Sequence, residues 1–304
     1  NIYWVPIGWF IGITVQSLFL WSNYRKVLIK KSRLKRPLQI LKLIRQGIPL
    51  SISTIISQVV IHFPIIYLGF FDTPKTTGQY SIAFRLVILM LSLDRVFYTI
   101  FFPIISRSAM HTPELIAKQL NRTLKFVATG SLYISLILIL MSKKIIPLIF
   151  GPEFYESILI FQILTGYFVL SLFISVIGLT LIGMGKEKLF TQSVAIGAIV
   201  FFASYLTLYQ TTFTVMIPFS LILYHLVSML VMVKHLRKSI SLNILQIVFA
   251  PLIMTICLTA LFLYWQHYQF ILSLISALVI SLPLISIASG INLKDLKSLK
   301  RVLI

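Results

Sequence analysis

The side chains best equipped for chemistry stand where charge is least expected. Arg85, Asp94 and Arg95 lie inside "YSIAFRLVILMLSLDRVFYTIFFP", an almost wholly apolar run that starts at Tyr80 and continues to Ile104. Asp94 is 14 residues from Tyr80 and 10 from Ile104, roughly 21 Å and 15 Å along a helix at about 1.5 Å per residue. A carboxylate that deep cannot reach an interface. Arg95 has a longer stem to lean toward the inner side, and Arg85 sits near the outer rim. An ionised group at such depth costs a few to many kcal/mol unless it faces water, a partner or a ligand. Neighbouring residues on a helix point about 100° apart, so Asp94 and Arg95 do not face one another, whereas Arg85 and Asp94 fall on opposite sides. The partners must therefore come from elsewhere.

A second constellation precedes it. Ser51, Thr54, Gln58 and His62 are spaced by three, four and four residues, which aligns them on one stripe of a helix, and Ser53 and Ser57 are expected to widen that stripe. Within an apolar span such a stripe faces protein or water. Interhelical hydrogen bonding, at about 0.6 kcal/mol per contact, accounts for the stripe as well as a wet cavity does. The stripe together with Arg85, Asp94 and Arg95 on the next helix favours the cavity.

The elements that must position these groups are legible from composition. Apolar side chains make up 58% of the 304 residues, charged ones 11%, and mean hydropathy is +0.98, whereas soluble domains are about a quarter charged. The chain is expected to be an all-α polytopic membrane protein. About nine stretches are long enough for a core that needs about 20 residues per helix; they fall near 3–22, 47–71, 80–104, 123–142, 158–181, 189–208, 212–233, 244–264 and 270–291. A net charge of +20 is what a nucleic-acid binder would carry, yet the alternate loops 23–46, 105–125, 182–190, 234–243 and 292–304 hold 22 of the 27 basic residues. That alternation is the positive-inside signal, so nucleic acid is not an expected partner. The first helix runs outside to inside and the C-terminus is cytoplasmic, with attraction to membrane lipids as a secondary effect of the charge. A complete protein starting in the cytoplasm would need an odd number of helices before residue 3, so the sequence reads as the later part of something longer.

Between the spans, outer loops are short, the longest being 143–157, and leave no room for a soluble domain. The inner segment 23–46, "NYRKVLIKKSRLKRPLQILKLIRQ", reads as a basic linker. In "HTPELIAKQLNRTLK", Thr112 is a candidate N-cap and Pro113 a first helical residue, predicting a short amphipathic surface helix. Prolines at 49, 64, 218, 251 and 283 are expected to kink their spans. His225 reads as a hydrogen-bonded packing residue, and Cys257, the single cysteine, excludes a disulfide within the chain. There is no G-x-x-x-x-G-K loop, no H-E-x-x-H pair and no cysteine cluster. Of the seven acids only Asp94 is deep. No metal, no cofactor and no enzymatic activity are expected.

The connecting motifs "TTGQYSIAFRL" (76–86), "FFPIISRS" (101–108), "PLIFGPEFYESILIFQIL" (147–164) and "LIGMGKEKL" (181–189) resemble, in order and spacing over roughly residues 40–235, the later half of Wzx-type polysaccharide-repeat flippases, in the superfamily with MATE exporters and the MurJ lipid II flippase. The resemblance implies a two-bundle alternating-access transporter in the cell inner membrane. Residues 1–22 would be the last helix of the first bundle, 23–46 the cytoplasmic linker and 47–304 the second bundle with two extra C-terminal helices, about five leading helices being absent. It implies as cargo a polyprenyl-diphosphate-linked oligosaccharide, moved from the inner to the outer leaflet, with polysaccharide polymerase and glycosyltransferases as partners. Arg85 and Arg95 would contact diphosphate or sugar through forked, charge-assisted bonds. Asp94 would hold an arginine or change protonation. Gln58 and His62 would meet sugar hydroxyls, with Thr54 and Ser51 completing the cavity wall. Family members often carry an acid late in the helix at 47–71, where this sequence has "IHFPII". Two alternatives remain: a membrane-embedded polymerase or ligase acting on the same lipid-linked sugar, and a MATE-like exporter of small amphipathic cations, which would favour acidic cavity groups.

Overall fold

A computed structural model describes residues 4–28, 37–108, 113–209, 217–242 and scattered positions between 247 and 263; side chains at several of these, Arg95 among them, lie outside the description. The described elements are α1 (Trp4–Leu28), α2 (Pro37–Phe71), α3 (Pro74–Ser108), α4 (Pro113–Phe150), a 3₁₀ turn (Pro152–Phe154), α5 (Ser157–Gly183), α6 (Glu187–Tyr209) and α7 (Ile217–Arg237). No strand occurs among the described residues. Five helical stretches are long and apolar enough to cross a membrane: Gly47–Phe71, Glu114–Phe150, Ser157–Gly183, Glu187–Thr207 and Ile217–Arg237. Of the span expected at 244–264, ten positions are described and all are helical; the span expected at 270–291 lies outside the described residues.

Several boundaries differ from the sequence reading, most of them toward longer helices. Helix α2 begins at Pro37 rather than near residue 47, because Pro37 takes a first-turn position, where its missing N–H costs nothing; what separates α1 from α2 shrinks accordingly. Pro49 and Pro64 sit inside the same 35-residue helix without dividing it. Pro218 falls at the second residue of α7, again in a first turn. The short amphipathic helix expected at 111–125 is the beginning of α4, a continuous 38-residue helix, since nothing between Leu124 and Phe126 stops propagation. The outer loop expected at 143–157 narrows to the turn after α4. There Gly151, at φ 104°, occupies a backbone region that other residues avoid, and Pro152 follows.

The chain forms two compact units, residues 1–48 and 49–304. In the first, α1 presents Phe10, Ile11, Val15, Leu18, Phe19 and Trp21 as exposed side chains on several sides, and Phe10–Ser22 is a shorter apolar stretch than the five above. In the second, α5 is the hub, packed against α3, α4 and α7, while α6 packs on α7. Its Phe161, Leu164, Tyr167, Phe168, Leu172 and Val176 are all buried. In hydrocarbon there is no hydrophobic gain from such burial, so close packing and interhelical hydrogen bonds hold the helices together. A close crossing is α6 on α7: a Cβ built on Gly197 would lie 2.8 Å from the Tyr224 carbonyl oxygen. Only glycine allows it. Helix α2 joins this pair through Phe63, whose ring meets Phe202 and Tyr205 at centroid distances of 5.1 Å, both edge-on.

The two ends of the bundle are tied by polar contacts. At one end Thr73 caps α3, its hydroxyl oxygen accepting from the Thr76 N–H at 3.2 Å, while the Asp72 carboxylate accepts from the Thr73 N–H at 2.7 Å. Gln79 donates to the Glu153 carbonyl at 2.8 Å and accepts from the Ser157 hydroxyl, and Lys75 pairs with Glu156 at 2.8 Å. At the other end α5 stops at Gly185, φ 70°, with the Lys186 N–H bonded to the Leu181 carbonyl and the Gly185 N–H to that of Ile182, each at 2.9 Å, a left-handed helix stop that glycine permits. "LIGMGKEKL" therefore encodes a stop and a restart.

Candidate functional site

The exposed surface of α2 is divided lengthwise. Ser51, Thr54, Gln58 and His62 are all exposed, and at about 100° per residue they fall within a sector of about 80°. Beside them Ile52, Ile55, Val59, Ile66 and Phe70 form a second exposed strip that is wholly apolar. The opposite side, with Ser53, Val60, Pro64 and Leu68, is buried. The four polar positions share one side, and the described helices of the unit do not cover it. The Thr54 hydroxyl donates to the Leu50 carbonyl at 2.9 Å; this back-bond lets a hydroxyl sit in a membrane helix without an outside partner.

Ser53 and Ser57 do not widen the stripe. Ser53 is buried and donates to the Leu50 carbonyl at 2.8 Å, and the Ser57 hydroxyl shares a 3.1 Å hydrogen bond with the Tyr224 hydroxyl of α7. About 200° and 240° of helix separate them from Ser51. They face the neighbouring helices.

Helix α3 shows the same division. Arg85, Ile88, Leu89 and Ser92 are exposed and share one side, while Tyr80, Ala83, Phe84 and Val87 are buried on the other. Asp94, half a turn from Arg85, belongs to the buried side. Its carboxyl meets the Ser175 hydroxyl of α5, and its Oδ1 is enclosed without a hydrogen-bond partner. Asp94 and Arg85 are thus directed apart. Ser175 was not legible as a partner: it lies 81 residues from Asp94 in an unbroken apolar segment, and one serine in such a segment carries no signal of its own.

Behind Asp94 a polar seam crosses the bundle. The Tyr167 ring of α5 stands edge-on to His225 of α7 at 4.6 Å, and Tyr224 does so from the other side at 4.7 Å. His225 is buried, with Nδ1 3.1 Å from the Leu221 carbonyl, and Tyr224 reaches Ser57. The seam therefore links α3, α5, α7 and α2. Buried hydroxyl oxygens of Ser220 and Ser228 on α7 have no hydrogen-bond partner, the kind of group that ordered water satisfies. Among the described residues no cluster of three metal-ligating side chains occurs.

These helices define a class: a multi-pass α-helical membrane protein whose α2 keeps a polar strip, and α3 an arginine, on surfaces that the other described helices of the second unit leave open. The model of one protein family, described as polysaccharide biosynthesis protein, matches residues 5–159, half of the chain and all seven of the sequence-derived site positions. The chain belongs to that family, and its role lies in polysaccharide biosynthesis. No curated protein matches it.

Proposed function

We propose that this protein carries a polyprenyl-diphosphate-linked oligosaccharide from the inner to the outer leaflet of the cell inner membrane. The observation that carries the proposal is the divided surface of α2, with Ser51, Thr54, Gln58 and His62 exposed along one strip and only apolar residues along the next. Hydrocarbon on both strips would leave an amide and an imidazole unsatisfied at several kcal/mol each. A lipid-facing strip beside a water-facing one removes that cost. A lipid-linked sugar needs the same pair of surfaces: its hydroxyls and phosphates cannot cross about 30 Å of hydrocarbon unaided, while its polyprenyl tail stays in lipid.

In this reading the polar strip lines one wall of a groove that opens alternately to each side. It belongs to the second bundle of a nine-helix, later portion of a two-bundle transporter. Gln58 and His62 bond sugar hydroxyls, with Thr54 and Ser51 beside them, and Arg85 and Arg95 engage the diphosphate. Asp94, set against Ser175, fixes α3 on α5 so that Arg85 keeps its direction. No bond is made or broken in the cargo, so the protein is not an enzyme in this reading. Glycosyltransferases supply the cargo and a polymerase consumes it.

Two experiments test the proposal. In a protein whose Cys257 is replaced by serine, Gln58→Cys and His62→Cys should react with a membrane-impermeant maleimide added to opened membranes, whereas Ile55→Cys and Ile66→Cys should not; equal labelling of both strips would remove the groove. In cells lacking the gene, the lipid-linked oligosaccharide should accumulate facing the cytoplasm, judged by an impermeant sugar-labelling reagent. Single units that appear outside but stay unjoined would point to a polymerase or ligase instead, and an unchanged pool on both sides would point to another cargo such as small amphipathic cations. Arg85→Gln should insert normally and lose transport; normal transport in both Arg85→Gln and Arg95→Gln would refute their role.

A further inference from the structure

One face of α7 changes character near its end. Phe219, Leu226 and Leu230 are exposed along it, and the next positions on the same side are Lys234, Arg237 and Lys238, also exposed. Measured from Leu230, Leu226, Val233, Lys234, Arg237 and Lys238 all fall within about 80° on either side. The buried side of the same turns carries Ser228, Met232 and Leu236. From Phe219 to Leu230 the apolar track runs roughly 16 Å at about 1.5 Å per residue, close to the roughly 15 Å depth of one leaflet. Where the track ends, Leu230, Val233, Lys234, Arg237 and Lys238 line an open groove of about 430 Å³.

We infer that this face holds one anionic phospholipid of the leaflet in which α7 ends, its acyl chains along the apolar track and its phosphate headgroup in the groove. Length and charge both argue for that occupant. The track matches an acyl chain rather than a soluble ligand, and the three cations line one groove, where an anionic headgroup balances their charge and the Arg237 fork can take two phosphodiester oxygens. Cations at a helix C-terminus also complement the helix dipole, but that effect needs no groove and no apolar track of leaflet length. The site is separate from the polar strip of α2 and does not depend on the transport reading.

The test is native mass spectrometry of the full-length protein released from detergent, with phosphatidylglycerol and phosphatidylcholine offered together. The unaltered protein should retain one phosphatidylglycerol in strong preference; equal retention of the two lipids would overturn the site without any variant being needed. Each neutralised cation should weaken retention about fivefold, so K234Q/R237Q/K238Q should lose roughly a hundredfold. R237Q alone gives the smaller step if the triple variant inserts poorly. K118Q/K188Q, which removes two exposed cations from the same side of the membrane outside the groove, should leave retention unchanged; an equal loss there would reduce the effect to bulk surface charge and overturn the inference. Displacement of the lipid by millimolar inorganic phosphate would likewise overturn it, in favour of a site for the free anion.

Discussion

Replacing Gly197 by alanine tests the packing that seats the candidate site. The added Cβ would lie 2.8 Å from the Tyr224 carbonyl oxygen and 3.0 Å from Tyr224 Cδ2, and would collide with the Ser228 hydroxyl. A serine side chain can rotate away. A helix carbonyl cannot, so α6 and α7 must separate by several tenths of an ångström along their crossing. Overpacking of this kind costs about 1–3 kcal/mol, against which alanine recovers up to about 1 kcal/mol in helix propensity. The net expectation is a loss of roughly 1–2 kcal/mol, read as a lower midpoint of thermal unfolding in detergent. Gly130→Ala is the control, because a Cβ there meets nothing within 4 Å, so its midpoint should hold or rise. Separation of α7 also carries Tyr224 away from Ser57 of α2, so Gly197→Ala should alter the cysteine labelling of Gln58→Cys while Gly130→Ala leaves it alone. Equal midpoints for the two alanine variants would refute the crossing geometry.

Gln79→Ala removes one donor and one acceptor and strands the Glu153 carbonyl and the buried Ser157 hydroxyl; a loss of about 1–3 kcal/mol is expected by the same thermal assay. Lys75→Met breaks the exposed pair with Glu156 and should change stability by less than about 1 kcal/mol, a difference that shrinks further in high salt. Asp94→Asn keeps shape, leaves an amide oxygen to accept from the Ser175 hydroxyl, and removes the charge from a carboxyl whose Oδ1 is enclosed without a partner. It should fold at least as well as the unaltered protein, and a lower unfolding midpoint would show that the ionised carboxylate itself is needed for stability.

How much of this was readable in advance differs between the two helices that carry the site. For α2, the spacing of Ser51, Thr54, Gln58 and His62 placed them on one side because covalent geometry sets 3.6 residues per turn wherever the helix lies. The same geometry put Arg85 and Asp94 on opposite sides of α3. That the described residues are helical, with several stretches long and apolar enough to cross a membrane, followed from composition, since hydrocarbon admits only segments that satisfy their own backbone. Helix limits were less legible: residues 37–46 look like linker because Lys42, Arg45 and Gln46 are polar, yet a helix already nucleated extends through polar residues at little cost.

Periodicity says which residues share a side, but not what that side meets. Ser57 sits three residues from Thr54, yet it bonds to Tyr224, 167 positions away, while Thr54 stays exposed. The carboxyl of Asp94 meets Ser175, 81 positions away. Such pairings arise where helices distant in the chain come into contact, and no short stretch holds the information that selects them. The sequence by itself determined a helical membrane protein with polar strips on particular faces. Which strip stays open and which is consumed in holding the bundle together was decided only by the packing of α2 on α6 and α7 and of α3 on α5, because a buried polar group takes whichever partner the crossing brings within reach.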